Sequence, residues 1–330
     1  LCVKRGHGPH KALVNAVLRR LGREGKSLIA EQDPALINTP EWLWNAWGEA
    51  YGAKTRRLIA EAHLVEPPLD ITLKEAGAAA KWAELLGGKV LPSGSVRLTP
   101  KGPVSKLDGF AEGEWWVQDA AAAIPARLLG PGKGEMAGKN IIDLCAAPGG
   151  KTAQLAAAGA SVTAVDRSPA RLRRLERNMS RLGLKAEIIT ADAHVWRPES
   201  LADGVLLDAP CSATGTIRRH PDVAWLKKPQ DPAAMAKVQA ALLAAAAEML
   251  KPGGTLVYCT CSLQPIEGEE RIEAFLESGA PFSRRPIRAD EVGGLEELLT
   301  PQGDLRSLPC HLAEQGGMDG FYAAKLRRNV

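Results

Sequence analysis

The sequence has no apolar run long enough to cross a bilayer; the longest candidate, residues 240–250, is alanine-rich, flanked by charge and too short. A membrane partner is therefore not expected, and the N-terminus does not read as a secretory signal. No strong excess of one charge is present. The formal net charge of +4 permits a polyanionic partner without demanding one. The six cysteines form no framework of bridges, and there is neither a C-x-x-C pair nor a pair of histidines, which argues against a zinc site. Cys145, Cys211, Cys259 and Cys261 fall instead at strand ends and in adjoining loops, as free thiols in a reducing cytoplasm would. Internal repeats and long low-complexity tracts are also lacking.

At 330 residues the chain can bury one large domain plus a smaller one. It opens on Leu1, and residues 13–21 read as the tail of a helical unit, so a piece lacking part of its N-terminus is expected. Leu13, Val14, Val17, Leu18 and Leu21 recur at helical spacing. A second helix is expected after Thr39-Pro40, with Thr39 as its cap, carrying Trp42, Leu43 and Trp47. Pro67-Pro68 closes this region. Residues 75–86 then read as a helix and residues 89–98 as a hairpin.

From Gly113 the rhythm is regular. Asn140–Leu144, Ser161–Asp166, 186–190, 204–208 and 255–259 are short apolar strands, with Pro169–Leu182 and residues 232–250 among the helices between them. Strand, crossover helix, strand is the signature of an α/β fold with helices on both faces of a parallel sheet. Such sheets bind ligands beyond the carboxyl ends of their strands.

The first strand runs into Asp143-Leu144-Cys145-Ala146-Ala147-Pro148-Gly149-Gly150-Lys151-Thr152. Glycines here allow a tight turn and close approach to a ligand, and the following helix offers free N–H groups. The spacing does not fit G-x-G-x-x-G. A phosphate loop would end in Gly150-Lys151-Thr152, but Cys145 stands where its first glycine belongs. A nucleoside-binding methyltransferase loop is the third reading, and the downstream acids favour it. Asp166 ends the second strand, where a carboxylate can grip ribose hydroxyls, and Asp192 follows the third, where it can accept from an adenine amino group. A lone aspartate is more often a cap, but acids ending successive strands in one crevice suit a cationic sulfonium better than a polyphosphate.

The fourth strand runs into Asp208-Ala209-Pro210-Cys211-Ser212 and the fifth into Tyr258-Cys259-Thr260-Cys261-Ser262, both facing the same crevice. Carbon 5 of cytosine becomes nucleophilic when a thiolate adds at carbon 6, so its methylation needs an accessible cysteine and a group that meets charge at the ring nitrogen. Asp208 could be that group if protonated or sharing a proton with the base. Buried cysteines otherwise behave as small hydrophobes, and Cys145 and Cys259 read that way.

On these residues the chain resembles the Sun (Fmu) family of RNA cytosine-5 methyltransferases, specifically its bacterial small-subunit ribosomal RNA type with an N-terminal NusB-like domain. The matching motifs are residues 143–151, residues 208–212 and Thr260-Cys261-Ser262, supported by Trp116-Val117-Gln118-Asp119 and Asp319-Gly320-Phe321-Tyr322. The resemblance implies a Rossmann-like methyltransferase domain over 113–330, a helical linker and small α+β RNA-binding-like domain over 39–112, and a NusB-like remnant over 1–38. It implies S-adenosylmethionine as cofactor, Cys261 as nucleophile and Cys211 as an aid to product release. Cys145, Ala146, Ala147, Pro148, Gly149, Gly150, Lys151, Asp166, Asp192 and Asp208 would line the cofactor site, and Arg171 is placed with them. The expected partner is ribosomal RNA, with transfer RNA as the chief competitor. A phosphate-loop ATPase and a non-catalytic RNA-binding assembly factor are the other readings.

Arg167, Arg171, Arg173, Arg174, Arg177 and Arg181 crowd one helix, read mainly as a solvated face. Arg218-Arg219-His220 follows the Cys211 loop, and a contact to RNA is expected there. The tryptophans at 42, 44, 47, 82, 115 and 116 are expected in the core.

Overall fold

The computed structural model describes residues 8–99, 102–130, 134 and 136–330. Cys2 and the first seven residues of the 1–38 segment lie outside them. Three helices lead: α1 (Lys11–Ala30), α2 (Pro34–Ile37) and α3 (Glu41–Ala62). The helical spacing of Leu13, Val17, Leu18 and Leu21 is realised in α1, yet no residue of that helix is buried. In contrast, α3 buries Leu43, Trp47 and Ile59 against Ile217, Ala224, Leu263 and Leu308. Each such side chain stabilises by about 1.5–3 kcal/mol, so α3 is held to the body of the protein and α1 gains nothing comparable. Thr39 does not cap α3, whose preceding residue is Pro40; the Thr39 hydroxyl donates to the Ala35 carbonyl at 2.8 Å and closes α2 instead.

A small antiparallel sheet follows, built from β1 (Leu69–Leu73), β2 (Lys89–Val90), β3 (Val96–Leu98) and β4 (Trp115–Val117), with α4 (Ala79–Leu86) between β1 and β2. Its order is β2-β3-β1-β4. The hairpin expected over 89–98 is β2–β3, and the last strand comes from beyond Gly113, where the sequence changes rhythm. Ile71, Leu73, Trp82, Val96, Leu98 and Trp115 form its core.

The large sheet starts after α5 (Ile124–Arg127). In chain order it comprises β5 (Asn140–Leu144), α6 (Gly150–Ala157), β6 (Ser161–Asp166), α7 (Pro169–Leu182), β7 (Glu187–Thr190), β8 (Ala202–Asp208), α8 (Val223–Leu226), α9 (Asp231–Glu248) and β9 (Leu250–Thr260). It ends with α10 (Glu269–Glu277), β10 (Phe282–Arg284), β11 (Leu305–Ser307) and β12 (Phe321–Arg328). The order is β10-β12-β9-β8-β5-β6-β7, with β11 beside β12. β5 through β9 pair in parallel, while β12 adds antiparallel to β9. The chain therefore reverses its direction of winding between β7 and β8, the arrangement that opens a crevice beyond the strand ends.

Alternation along the central strands sends Val205 and Leu207 to the face covered by α9 and α10, and Leu206 to the face covered by α5 and α6. On the latter face α7 contributes Leu172, Leu175, Met179 and Leu182. Ser168 caps α7 by accepting from the Arg171 N–H, and Gly183 ends it in a left-handed conformation.

Candidate active site

Where β5 ends, Cys145 adopts φ 60° and turns the chain out of the sheet. Ala146 N donates to Val165 O at 3.1 Å and Ala147 N to Asp166 Oδ2 at 3.2 Å, binding the turn to the neighbouring strand β6. Gly149 starts α6 at φ 100°, and a Cβ there would meet Leu175 Cγ at 2.7 Å. Glycine is thus required both by the turn and by the close approach of α7.

Lys151 is buried, and its ammonium donates to Asp208 Oδ2 at 2.9 Å. In a phosphate loop this cation would face the ligand; here it is committed to a carboxylate, which removes the main support for the ATPase reading. Burial works against its charge, but Asp208 outweighs that and holds its pKa above the usual lysine range. Asp208 accepts on its other oxygen from the Cys259 thiol at 3.5 Å. Both carboxylate oxygens therefore act as acceptors. Cys259 is fully buried, and burial followed by the Asp208 charge pushes its pKa well up. Beneath the loop, Thr152 donates to Asp143 Oδ2 at 2.6 Å, and burial pushes Asp143 up to about 7.

A cavity of about 690 Å³ opens at the strand ends, and Cys145, Asp166, Arg171, Asp192, Asp208, Cys211 and Cys261 all lie on its wall. Of the residues singled out for the cofactor loop, Ala146, Ala147, Gly149 and Lys151 are buried behind that wall, Gly150 is half-buried and Pro148 is exposed. Asp166 is fixed by Ser168 N at 2.9 Å, by Ala147 N and by Arg171 Nη1 at 3.0 Å, while Arg171 also donates to the Ala147 carbonyl. Asp192 accepts from His194 N at 2.9 Å at the rim. Burial, then the charges of Asp208 and Asp166, push the Cys145 thiol up to about 12.

The two loops that leave β8 and β9 bring Cys211 Sγ and Cys261 Sγ to 3.4 Å. The hydrogen bond to Cys261, followed by burial, pushes the Cys211 pKa well above the ordinary thiol value. Behind the sulfurs lies a group the sequence did not single out. Glu267 is fully buried, and its Oε1 accepts from Ser212 N at 2.8 Å and Gln239 Nε2 at 3.1 Å. Its Oε2 accepts from the Ser262 hydroxyl at 2.5 Å and from the Ser212 hydroxyl. Glu267 stands among Glu269, Glu270 and Glu273 in a run that reads as an ordinary acidic helix start, so no spacing marked it.

The basic pair beside the Cys211 loop does not face outward as expected. Arg219 donates to Asp119 Oδ2 at 2.5 Å and Asp319 Oδ1 at 3.1 Å, and Arg218 is buried with its Nη2 on the Gly316 carbonyl at 3.0 Å. They join the Trp116–Asp119 and Asp319–Tyr322 motifs through buried acids, so their charge is used internally. His220 is exposed. On α7, Arg181 is tied to the Phe110 and Trp115 carbonyls, whereas Arg167, Arg173, Arg174 and Arg177 are exposed. Trp47, Trp82, Trp115 and Trp116 are core residues, and Trp42 and Trp44 are half-buried.

A family model described as 16S rRNA methyltransferase RsmB/F matches residues 126–327. Ribosomal RNA small subunit methyltransferase B of Salmonella arizonae is 42% identical over 332 residues, spanning 96% of this chain and 73% of its own length. The protein of that name from Cronobacter sakazakii is 40% identical over the same shares. Among solved structures, PH0851 matches with a TM-score of 0.76 at 28% identity, over 87% of this chain and 66% of that one. A methyltransferase homolog protein from Pyrococcus horikoshii matches with a TM-score of 0.70 at 26% identity, over 86% and 93%.

Proposed function

We propose, for a chain that belongs to the RsmB/F family of 16S rRNA methyltransferases and is thus an RNA methyltransferase, that it methylates carbon 5 of a cytosine in small-subunit ribosomal RNA. Cys261 is the covalent nucleophile and Cys211 assists release. The observation that carries this reading is the pair of sulfurs 3.4 Å apart on the wall of the cavity that also presents Asp166, Asp192 and Asp208.

The methyl donor is S-adenosylmethionine, which supplies a methyl group on a positively charged sulfonium. The residues present fit it. A cavity of about 690 Å³ is in the range of nucleoside-sized ligands, and three carboxylates on its wall suit a cation and hydroxyl donors. Asp166, oriented by two backbone N–H groups, is the acceptor for the ribose hydroxyls, and Asp192 is the acceptor for the adenine amino group.

The Cys261 thiolate adds to carbon 6 of the base and pushes electrons toward carbon 5 and the ring nitrogen. Asp208, backed by Lys151 Nζ, meets the charge at that nitrogen by sharing with it the proton that the Cys261 thiol gives up. Carbon 5 forms its bond to the methyl group as the methyl–sulfonium bond breaks, its electron pair leaving with the donor as a neutral thioether. Loss of the carbon-5 proton to solvent then returns an electron pair to the C5–C6 bond and expels the Cys261 sulfur, which recovers the proton held at Asp208. Cys211, in contact with the departing sulfur, acts at this step.

The test is methyl transfer from labelled S-adenosylmethionine to unmodified small-subunit ribosomal RNA and to transfer RNA, with the product digested to nucleosides. Label in 5-methylcytidine from ribosomal RNA is expected. Label in another nucleoside overturns the chemistry, and label only in transfer RNA overturns the substrate.

A further inference from the structure

Two cysteines on separate loops do not meet at van der Waals contact by accident of sequence. Something must set the loops against each other, and the disposition of the buried polar groups shows what. Glu267 follows β9, and its side chain reaches across to the loop leaving β8, where it takes both the backbone N–H and the hydroxyl of Ser212. On its own loop it takes the hydroxyl of Ser262. Ser212 is next in sequence to Cys211 and Ser262 is next to Cys261. Gln239 of α9 supplies a fourth donor and also grips Pro210 O at 2.9 Å, immediately before Cys211. The Glu267 carbonyl accepts from Tyr258 Oη at 2.8 Å, anchoring the residue to β9.

We propose that Glu267 is a positioning residue that locks the Cys211 and Cys261 loops together, so that the two sulfurs face the cavity in contact. This deepens the cysteine reading above and rests on it. All four partners of the Glu267 carboxylate are neutral groups, so it is satisfied by hydrogen bonds with no cation paired to it. Its field acts on Cys211 in the same sense as burial and the Cys261 contact, keeping Cys211 in the thiol form. Cys211 is then the hydrogen-bond donor across the sulfur pair, and Cys261 is left as the acceptor and nucleophile. One buried carboxylate thus supplies both the geometry and the division of roles.

The experiment compares Glu267→Gln and Glu267→Asp with the wild type in two readouts. The first is the rate of iodoacetamide alkylation at Cys211, followed by mass spectrometry across pH. The second is the kcat and the two KM values for methyl transfer. Glu267→Gln removes the charge and turns a donor toward the serines. It is expected to speed Cys211 alkylation at pH 8 by about tenfold and to lower kcat by about 10- to 100-fold, with both KM values within about twofold. Glu267→Asp keeps the charge but cannot span the loops, so kcat falls while Cys211 alkylation speeds up less than in Glu267→Gln. If Glu267→Gln does not fold, Ser262→Ala removes a single hydroxyl link and is expected to lower kcat with unchanged KM values. Unchanged kcat in these variants, or equal acceleration of Cys211 alkylation in Gln and Asp variants, overturns the proposal. Alkylation is read without methyl transfer, so it judges Glu267 even if Cys261→Ala proves active and the nucleophile assignment fails.

Discussion

Lys151 Nζ lies 2.9 Å from Asp208 Oδ2, and the lysine side chain is 9% exposed while the carboxylate is 32% exposed toward the cavity. The pair is therefore asymmetric: the cation is structural and dry, and the anion is the part a ligand can touch. A glycine-lysine-threonine run that resembles the end of a phosphate loop thus serves a different electrostatic purpose. The same ammonium also lies over the Phe321 ring, 4.9 Å from its centroid. An ammonium held this way faces a carboxylate at the strand end, and an incoming polyphosphate would meet acids in its place.

The two cysteines should separate cleanly by substitution. Cys261→Ala is expected to abolish methyl transfer while S-adenosylmethionine affinity, read by calorimetry, changes by no more than about twofold, because in the proposed mechanism the sulfur acts on the base and not on the cofactor. Cys211→Ala is expected to leave a protein–RNA adduct that survives denaturing electrophoresis. Turnover by the first variant would remove Cys261 from the nucleophile role, and normal turnover by the second would remove Cys211 from release.

Asp143 gives a stability signature in pH. Its folded-state pKa is raised from 3.8 to about 7, chiefly by burial. The native state therefore binds a proton that the unfolded chain has already lost between about pH 4 and pH 7. The contribution is greatest below pH 4 and is lost as pH rises through about 7. Asp143→Asn, which can still accept from Thr152, removes this dependence. Unfolding free energies of wild type and variant should converge toward pH 4 and diverge by on the order of a few kcal/mol at pH 8, with the variant the more stable. Parallel curves across that window would show that Asp143 is not protonated in the fold.

Arg219 should behave as an internal tie. Its side chain is 20% exposed, and Asp119 and Asp319 are 4% and 7% exposed. Arg219→Met leaves buried Asp119 without its ion-pair partner and Asp319 with Arg218 alone, an expected loss of about 3–5 kcal/mol in denaturant unfolding. The slope of RNA affinity against salt should not change, since no phosphate contact is removed. Unaltered stability with a shallower salt slope would return Arg219 to the RNA-contacting role first expected of it.

Much of this architecture could be read from residue patterns because the signals were local. Asn140–Leu144, Ser161–Asp166 and Pro169–Leu182 appear with the expected limits, since apolar runs bounded by turn residues and a Ser-Pro start leave little choice. The acids at strand ends and both cysteines lie on one cavity wall because parallel strands place their carboxyl ends together. What was misread depended on distant partners. Thr39 is well suited to cap a helix, but the nearer Ala35 carbonyl takes its hydroxyl. Arg218 and Arg219 look like a phosphate clamp until Asp119 and Asp319, each 100 residues from Arg219, are brought beside them. Glu267 was invisible for the same reason, since its partners Ser212 and Gln239 are 55 and 28 residues away.

The depth of the sulfur pair has a consequence for the nucleic acid. Cys211 and Cys261 are half-buried in a cavity wall whose supports are β8, β9 and fixed loops, so the thiols cannot rise to meet a target. A cytosine stacked within a helix presents only its edges in the grooves, and carbon 6 is shielded by its neighbours. For the proposed reaction the nucleotide must already be unpaired or must swing out of its stack, at a cost of a few kcal/mol that falls on the RNA. Substrate choice would then follow where the RNA is locally easiest to open as much as the letters it carries.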